Sequence, residues 1–115
     1  MTIHEVEALV KIKTRNKVRI QHLEERVGDS IAFLSYSIDD KNKMTIWHTE
    51  IPSLLQHKGI GAKLVEEAVQ LASRDSSHLR IVCPFAKEYL ARHPELTERY
   101  TVRLEEAGHG LLSNL

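Results

Sequence analysis

Residues able to do chemistry gather in the middle of this chain. The run Gln56-His57-Lys58-Gly59-Ile60-Gly61 sets two glycines and two basic side chains just before a stretch of helical periodicity. The first N–H groups of a helix have no partner within it, and they point outward with the positive end of its dipole. Glycines let another group come close to that backbone and accept angles that other residues resist. Such a loop suits an anion, a pyrophosphate above all. A turn that needs two glycines only for its own geometry reads the same way. Cys83 is the single cysteine; its thiolate could be a nucleophile, or its thiol could line a site or pack as a small hydrophobe. His48 and Glu50 are two residues apart on a strand and so share a face. Either could take a proton as a base, directly or through water, and a surface ion pair is the alternative.

The elements that must hold these residues span residues 44–83. Thr45, Ile46, Trp47 and Thr49 favour a strand over residues 44–50, and Pro52 discourages its continuation. After the loop, Leu64, Val65, Ala68, Val69, Leu71 and Ala72 recur on one helical face, with Lys63, Glu66, Glu67, Gln70 and Arg74 on the other. Asp75-Ser76-Ser77 ends that helix, and residues 79–83 form a short apolar run of strand length. Strand, helix and strand predict a right-handed βαβ unit with parallel strands. Cys83 then ends the second strand, on the side where ligands of open α/β sheets collect.

The loop does not match two familiar phosphate motifs. Lys63 follows Gly59 too soon for a P-loop, and Leu64 stands where that motif needs a hydroxyl. No third glycine follows Gly61 at the dinucleotide spacing. It resembles instead the Gln/Arg-x-x-Gly-x-Gly/Ala loop of the GNAT acyltransferases, which holds the pyrophosphate of acetyl-CoA. His48-Thr49-Glu50-Ile51-Pro52, Lys63-Leu64-Val65, Cys83-Pro84-Phe85, Tyr89-Leu90 and His93-Pro94-Glu95 are similar in order and spacing to the minimal YjdJ-type branch of that superfamily. The resemblance covers residues 30–95.

What the resemblance implies is specific. The pantetheine arm of acetyl-CoA would lie between the strand of residues 44–51 and the one ending at Cys83, partly as an added strand. Ile51, Gln56, His57, Lys58, Gly59, Ile60, Gly61, Ala62 and Lys63 would bind the cofactor. Turn geometry for the glycines and a solvated face for the lysines are the plainer alternatives. Cys83 would lie near the acyl group, as a carrier or as lining. Tyr89 stands where the superfamily often has an acid for the departing thiolate, unless it only packs. The acceptor would be an amine. A full-sized member carries two helices between its first strands, and Gly28-Asp29-Ser30 leaves them no room. An open acceptor side suits an exposed lysine, an N-terminus or a polyamine. A non-catalytic CoA-binding or protein-interaction module is the rival reading, and a nucleotide-phosphate binder a second.

Composition sets the bounds. A chain of 115 residues suits one domain, a single minimal GNAT-like unit over residues 1–115. Lysine plus arginine numbers 16, as does aspartate plus glutamate, so charge gives no general nucleic-acid binding. No apolar run is long enough to cross a membrane, and residues 1–13 lack a signal-peptide core. One cysteine agrees with a reducing compartment, and the expected location is cytoplasmic. His4, His22, His57, His78, His93 and His109 are scattered without metal-ligand spacing, so no metal is expected. No Ser/His/Asp arrangement has the strand–serine–helix context it needs.

The fold class read from the chain is α/β (α+β), a GNAT-like mixed sheet. Antiparallel N-terminal strands come first, then the βαβ unit and C-terminal helices. Ile3, Val6 and Val10 fit a helical face while Val6, Ala8, Val10 and Ile12 alternate; a strand over residues 7–13 is the preferred reading. In residues 18–27, Val18 and Ile20 alternate while Leu23-Glu24-Glu25-Arg26 tolerate a helix, and the resemblance implies that most of the stretch is a strand leading to the Gly28-Asp29 turn. In residues 30–38, Ala32, Leu34, Tyr36 and Ile38 share one face, and Asp39-Asp40-Lys41-Asn42-Lys43 breaks before the next strand, giving an antiparallel hairpin. Residues 85–92 read as a short helix halted before Pro94. Residues 95–107 read as a further helix, with Leu96, Tyr100, Leu104 and Ala107 aligned and Gly108 as its stop. Leu111, Leu112 and Leu115 could dock a tail on the core or on another subunit.

Overall fold

Alternation and helical periodicity build one sheet with helices against it. The computed structural model of the chain describes residues 3–11, 17–75 and 78–106. Strands β1 (Ile3–Lys11), β2 (Lys17–Val27), β3 (Ser30–Ile38) and β4 (Lys43–Glu50) follow in sequence. A 3-10 turn (Ser53–Leu55) then leads to α1 (Ile60–Asp75), β5 (His78–Ile81), α2 (Pro84–Arg92), α3 (Glu95–Arg99) and β6 (Arg103–Glu106). The six strands pair in chain order, antiparallel from β1 to β4 and parallel from β4 to β6. The predicted mixed sheet and βαβ unit are both present.

Burial follows the sequence pattern. Ala32, Leu34 and Tyr36 on β3 are fully buried, and the six apolar residues of the predicted helix face are all buried on α1. With Leu23, Met44, Ile46, Leu79 and Ile81 from the strands, and Ala86 and Leu90 from α2, they form one core cluster. With α1 and α2 against one sheet face, the other face of β2–β4 carries buried Ser35, Ser37 and Thr45 beside His22, Phe33 and His48, which are not buried.

Several strand and helix bounds differ from expectation. Strand β1 starts earlier than residue 7, at Ile3, because it pairs with β2 along its whole length; residues 12 and 13 lie outside the described residues. The helix expected over residues 95–107 does not form. Its first part is α3, and the chain then turns at Thr101, which has a left-handed φ of 57°, before β6 pairs parallel with β5. The open edge of β5 takes the segment as a strand, and that tertiary pairing overrides a helical spacing of leucines. Ala107, Gly108 and the tail of residues 109–115 lie outside the described residues.

Candidate functional site

Strand β4 is held on both sides for half its length only. It pairs with β5 from Lys43↔His78 to Ile46↔Ile81, and the Ile46 carbonyl then accepts from both the Val82 N–H (2.9 Å) and the Cys83 N–H (3.2 Å). Residues 48–50 pair with β3 but not with β5. The cause lies in the register with β3, where Ser35 faces His48 but Tyr36 faces Ile46. Trp47 is therefore an extra residue, a bulge that bends its strand. Its indole N–H donates to Ser37 Oγ at 2.8 Å, which fixes the bulge. A wedge opens between two parallel strands, and Cys83 stands where it begins.

At the wedge lies a cleft of ≈ 600 Å³, a size in the range of small-molecule sites. Thr49, Glu50 and Ile51 line it from β4, Leu55, Gln56 and His57 from the connection, residues 59–62 from the start of α1, and Phe85 from α2. The loop backbone is shaped for an anion. His57 and Gly59 have left-handed φ of 63° and 76°. Left-handed angles interspersed in a turn bring successive N–H groups to one side, a concavity that binds anions. The Lys63 N–H is the first taken up by the helix, donating to the Gly59 carbonyl at 3.1 Å. Among the described residues, no side chain accepts from the N–H groups of residues 60–62. Space around Gly59 is open, with nothing among the described residues within 4 Å of where a Cβ would be.

The side chains predicted for the cofactor divide into separate roles. Gln56 donates from Nε2 to the Ile51 carbonyl at 3.2 Å and so ties the loop to the end of β4. Lys58 is exposed beside the loop. Lys63 turns away from the cleft lining: its Nζ meets Glu25 Oε1 at 3.1 Å. Glu25 is fully buried on β2, and its Oε2 has no hydrogen-bond partner among the described residues. Sequence reasoning missed this ion pair, since nothing marks Glu25 apart from the neighbouring Glu24.

The candidate catalytic residues also separate. Cys83 is 2% exposed, and its thiol donates to Thr49 Oγ1 at 3.3 Å across the wedge. His48 and Glu50 do share a face, with Nε2 and Oε1 3.2 Å apart, and both are exposed. Glu50 lines the cleft and His48 does not. Tyr89 stands apart from that lining; its hydroxyl donates to Glu66 Oε2 on α1 at 2.7 Å. Burial, and then the bond to the Glu66 carboxylate, push its pKa up to about 12. Thr49, Leu55 and Phe85 line the cleft without having been given a role by sequence reasoning. Among the described residues no group of three potential metal-ligating side chains occurs.

A model of the family described as GCN5-related N-acetyl-transferase matches residues 13–100. The chain belongs to this family. No match was found among curated proteins. Membership gives the chain a general acetyltransferase character, in a family that generally uses acetyl-CoA. The site fits that cofactor on its own terms, because unpartnered N–H groups at a helix start adjoin a cleft running to the unpaired edge of β4. No helix among the described residues is long and apolar enough to cross a membrane.

Proposed function

We propose that the protein binds acetyl-CoA and transfers its acetyl group to an amine of an exposed lysine, an N-terminus or a polyamine. In this reading it is a single minimal domain of the YjdJ-type branch, working in the cytoplasm. One observation carries it: residues 60–62, whose N–H groups no side chain takes among the described residues, line the same cleft as the end of β4 released by the Trp47 bulge. Helix-start amides suit the pyrophosphate, with Lys58 adding charge, and the released edge suits the amides of the pantetheine arm. The bound thioester supplies an activated acetyl group.

The chain's own groups supply the rest. Glu50 lies on the cleft wall and takes the acceptor's proton, and His48, at 3.2 Å, relays it to solvent. Tyr89 can act as an acid at the sulfur only by leaving Glu66, and its raised pKa makes it a reluctant donor. Two alternatives have observations of their own. The 3.3 Å contact of Cys83 with cleft-lining Thr49 favours transfer through the cysteine. The burial of Cys83 and the engagement of Tyr89 by Glu66 favour a CoA-binding module without activity. Acetyl-CoA turnover against a panel of amines, with intact-mass detection of acetylated Cys83, tests all three. Direct transfer requires turnover that survives Cys83→Ala. Loss of turnover with an acetylated wild-type cysteine supports the cysteine route, and CoA binding without turnover supports the module.

A further inference from the structure

Phe85 is out of character for the wall of a phosphate loop. Its ring is 45% exposed, yet it lines the cleft directly against the first turn of α1. A Cβ at Gly61 would lie 2.6 Å from its Cζ and 2.9 Å from its Cε2, so the ring rests on the glycine backbone and would have to shift for any larger residue. The second glycine of the loop thus has an aromatic neighbour in close contact. Behind Phe85, the Tyr89 ring lies parallel at a centroid distance of 6.4 Å, and Glu66 holds Tyr89 in place. The ring is braced from behind and left open towards the cleft.

A pyrophosphate gains nothing from such a surface, since it needs N–H donors and positive charge. An apolar, braced ring gains by covering apolar ligand surface. In coenzyme A the carbon next to the methylene that esterifies the pyrophosphate carries two methyl groups, those of the pantoyl unit. ADP ends at its phosphates, and NAD continues into a polar ribose. We infer that Phe85 is the specificity-determining contact of the cleft, packing on the pantoyl dimethyl group and so selecting coenzyme A over other adenine pyrophosphates. The inference rests on the acetyl-CoA reading and adds the residue that enforces it.

Calorimetric titration of CoA and of 3′-phospho-ADP, which keeps the pyrophosphate but lacks the pantoyl unit, tests this on wild-type protein and three variants. Phe85→Ala and Phe85→Gln weaken CoA roughly tenfold or more, leave 3′-phospho-ADP within about twofold, and Phe85→Leu recovers most of the CoA affinity. Phe85→Gln keeps bulk over Gly61, so the comparison stands if the alanine variant loses its fold. Equal weakening of both ligands would mean that the ring acts only by packing the helix start, and no weakening of either would remove it from the site. Both results overturn the inference while leaving acetyl-CoA binding intact. A wild-type protein that binds no CoA overturns the cofactor reading as well.

Discussion

The two halves of β4 have the same neighbour on one side and different ones on the other. Residues 43–46 are zipped between β3 and β5, and Met44 and Ile46 are fully buried under the helices. Residues 48–50 keep β3 but lose β5, and Thr49 and Glu50 face a cleft instead. One extra residue, Trp47, separates the halves. The difference teaches that the site is made by stopping a sheet: backbone groups that would have paired with β5 remain available to a ligand. Stability and binding should therefore be separable along one strand.

The largest effect is expected in the zipped half. Ile46→Ala removes a fully buried side chain and should cost about 2–5 kcal/mol in chemical denaturation. A loss well below that would mean that the parallel pairing, and not the core beneath it, holds this half. On the open side, Gly59→Glu brings a carboxylate to the loop and should weaken CoA on the order of 100-fold, about 2.7 kcal/mol. Its left-handed φ makes that side chain cost about 1–2 kcal/mol of stability as well. Gly59→Asn, which tolerates the same backbone, is the control and should bind nearly normally.

The two loop lysines sharpen the contrast. Lys63→Ala strips the counter-charge from fully buried Glu25 and should cost about 1–3 kcal/mol of stability, since Lys63 itself is half-exposed. Lys58→Ala should leave the melting curve in place and weaken CoA by a few-fold, about 0.5–1 kcal/mol. An exchange of these outcomes would return Lys63 to the phosphate. The smallest effect belongs to Tyr89, away from the cleft. Its folded pKa of about 12 lies above the ordinary value of 10.0. The folded protein thus holds this proton more tightly, and the associated stability is present at neutral pH and lost as pH rises from 10 to 12. Tyr89→Phe should flatten that decline in alkaline unfolding curves, and an unchanged slope would contradict the Glu66 bond.

Much of the scaffold could be read directly because its signals are local. The apolar face of α1 and the alternation of β3 each bury the residues their periods select. The strand end at Glu50 and the glycine turn before α1 were legible for the same reason, and both line one cleft. What stayed hidden depends on partners distant in sequence. Leu96, Tyr100 and Leu104 keep a helical spacing, but the free edge of β5 claims Leu104 for β6. Gly61 reads as a phosphate glycine until Phe85 is seen resting on it. Lys63 reads as a phosphate ligand until buried Glu25 is found beneath it. His57 gives no sign in its side chain of a left-handed φ.

The central claim is that free helix-start amides and the released edge of β4 form one ligand-binding surface. Backbone amide NMR during titration with acetyl-CoA tests it most directly. The account predicts the largest shifts at residues 59–62 and along residues 47–51, saturating together. Shifts gathered elsewhere, with the N–H groups of residues 60–62 unmoved at saturation, would contradict it.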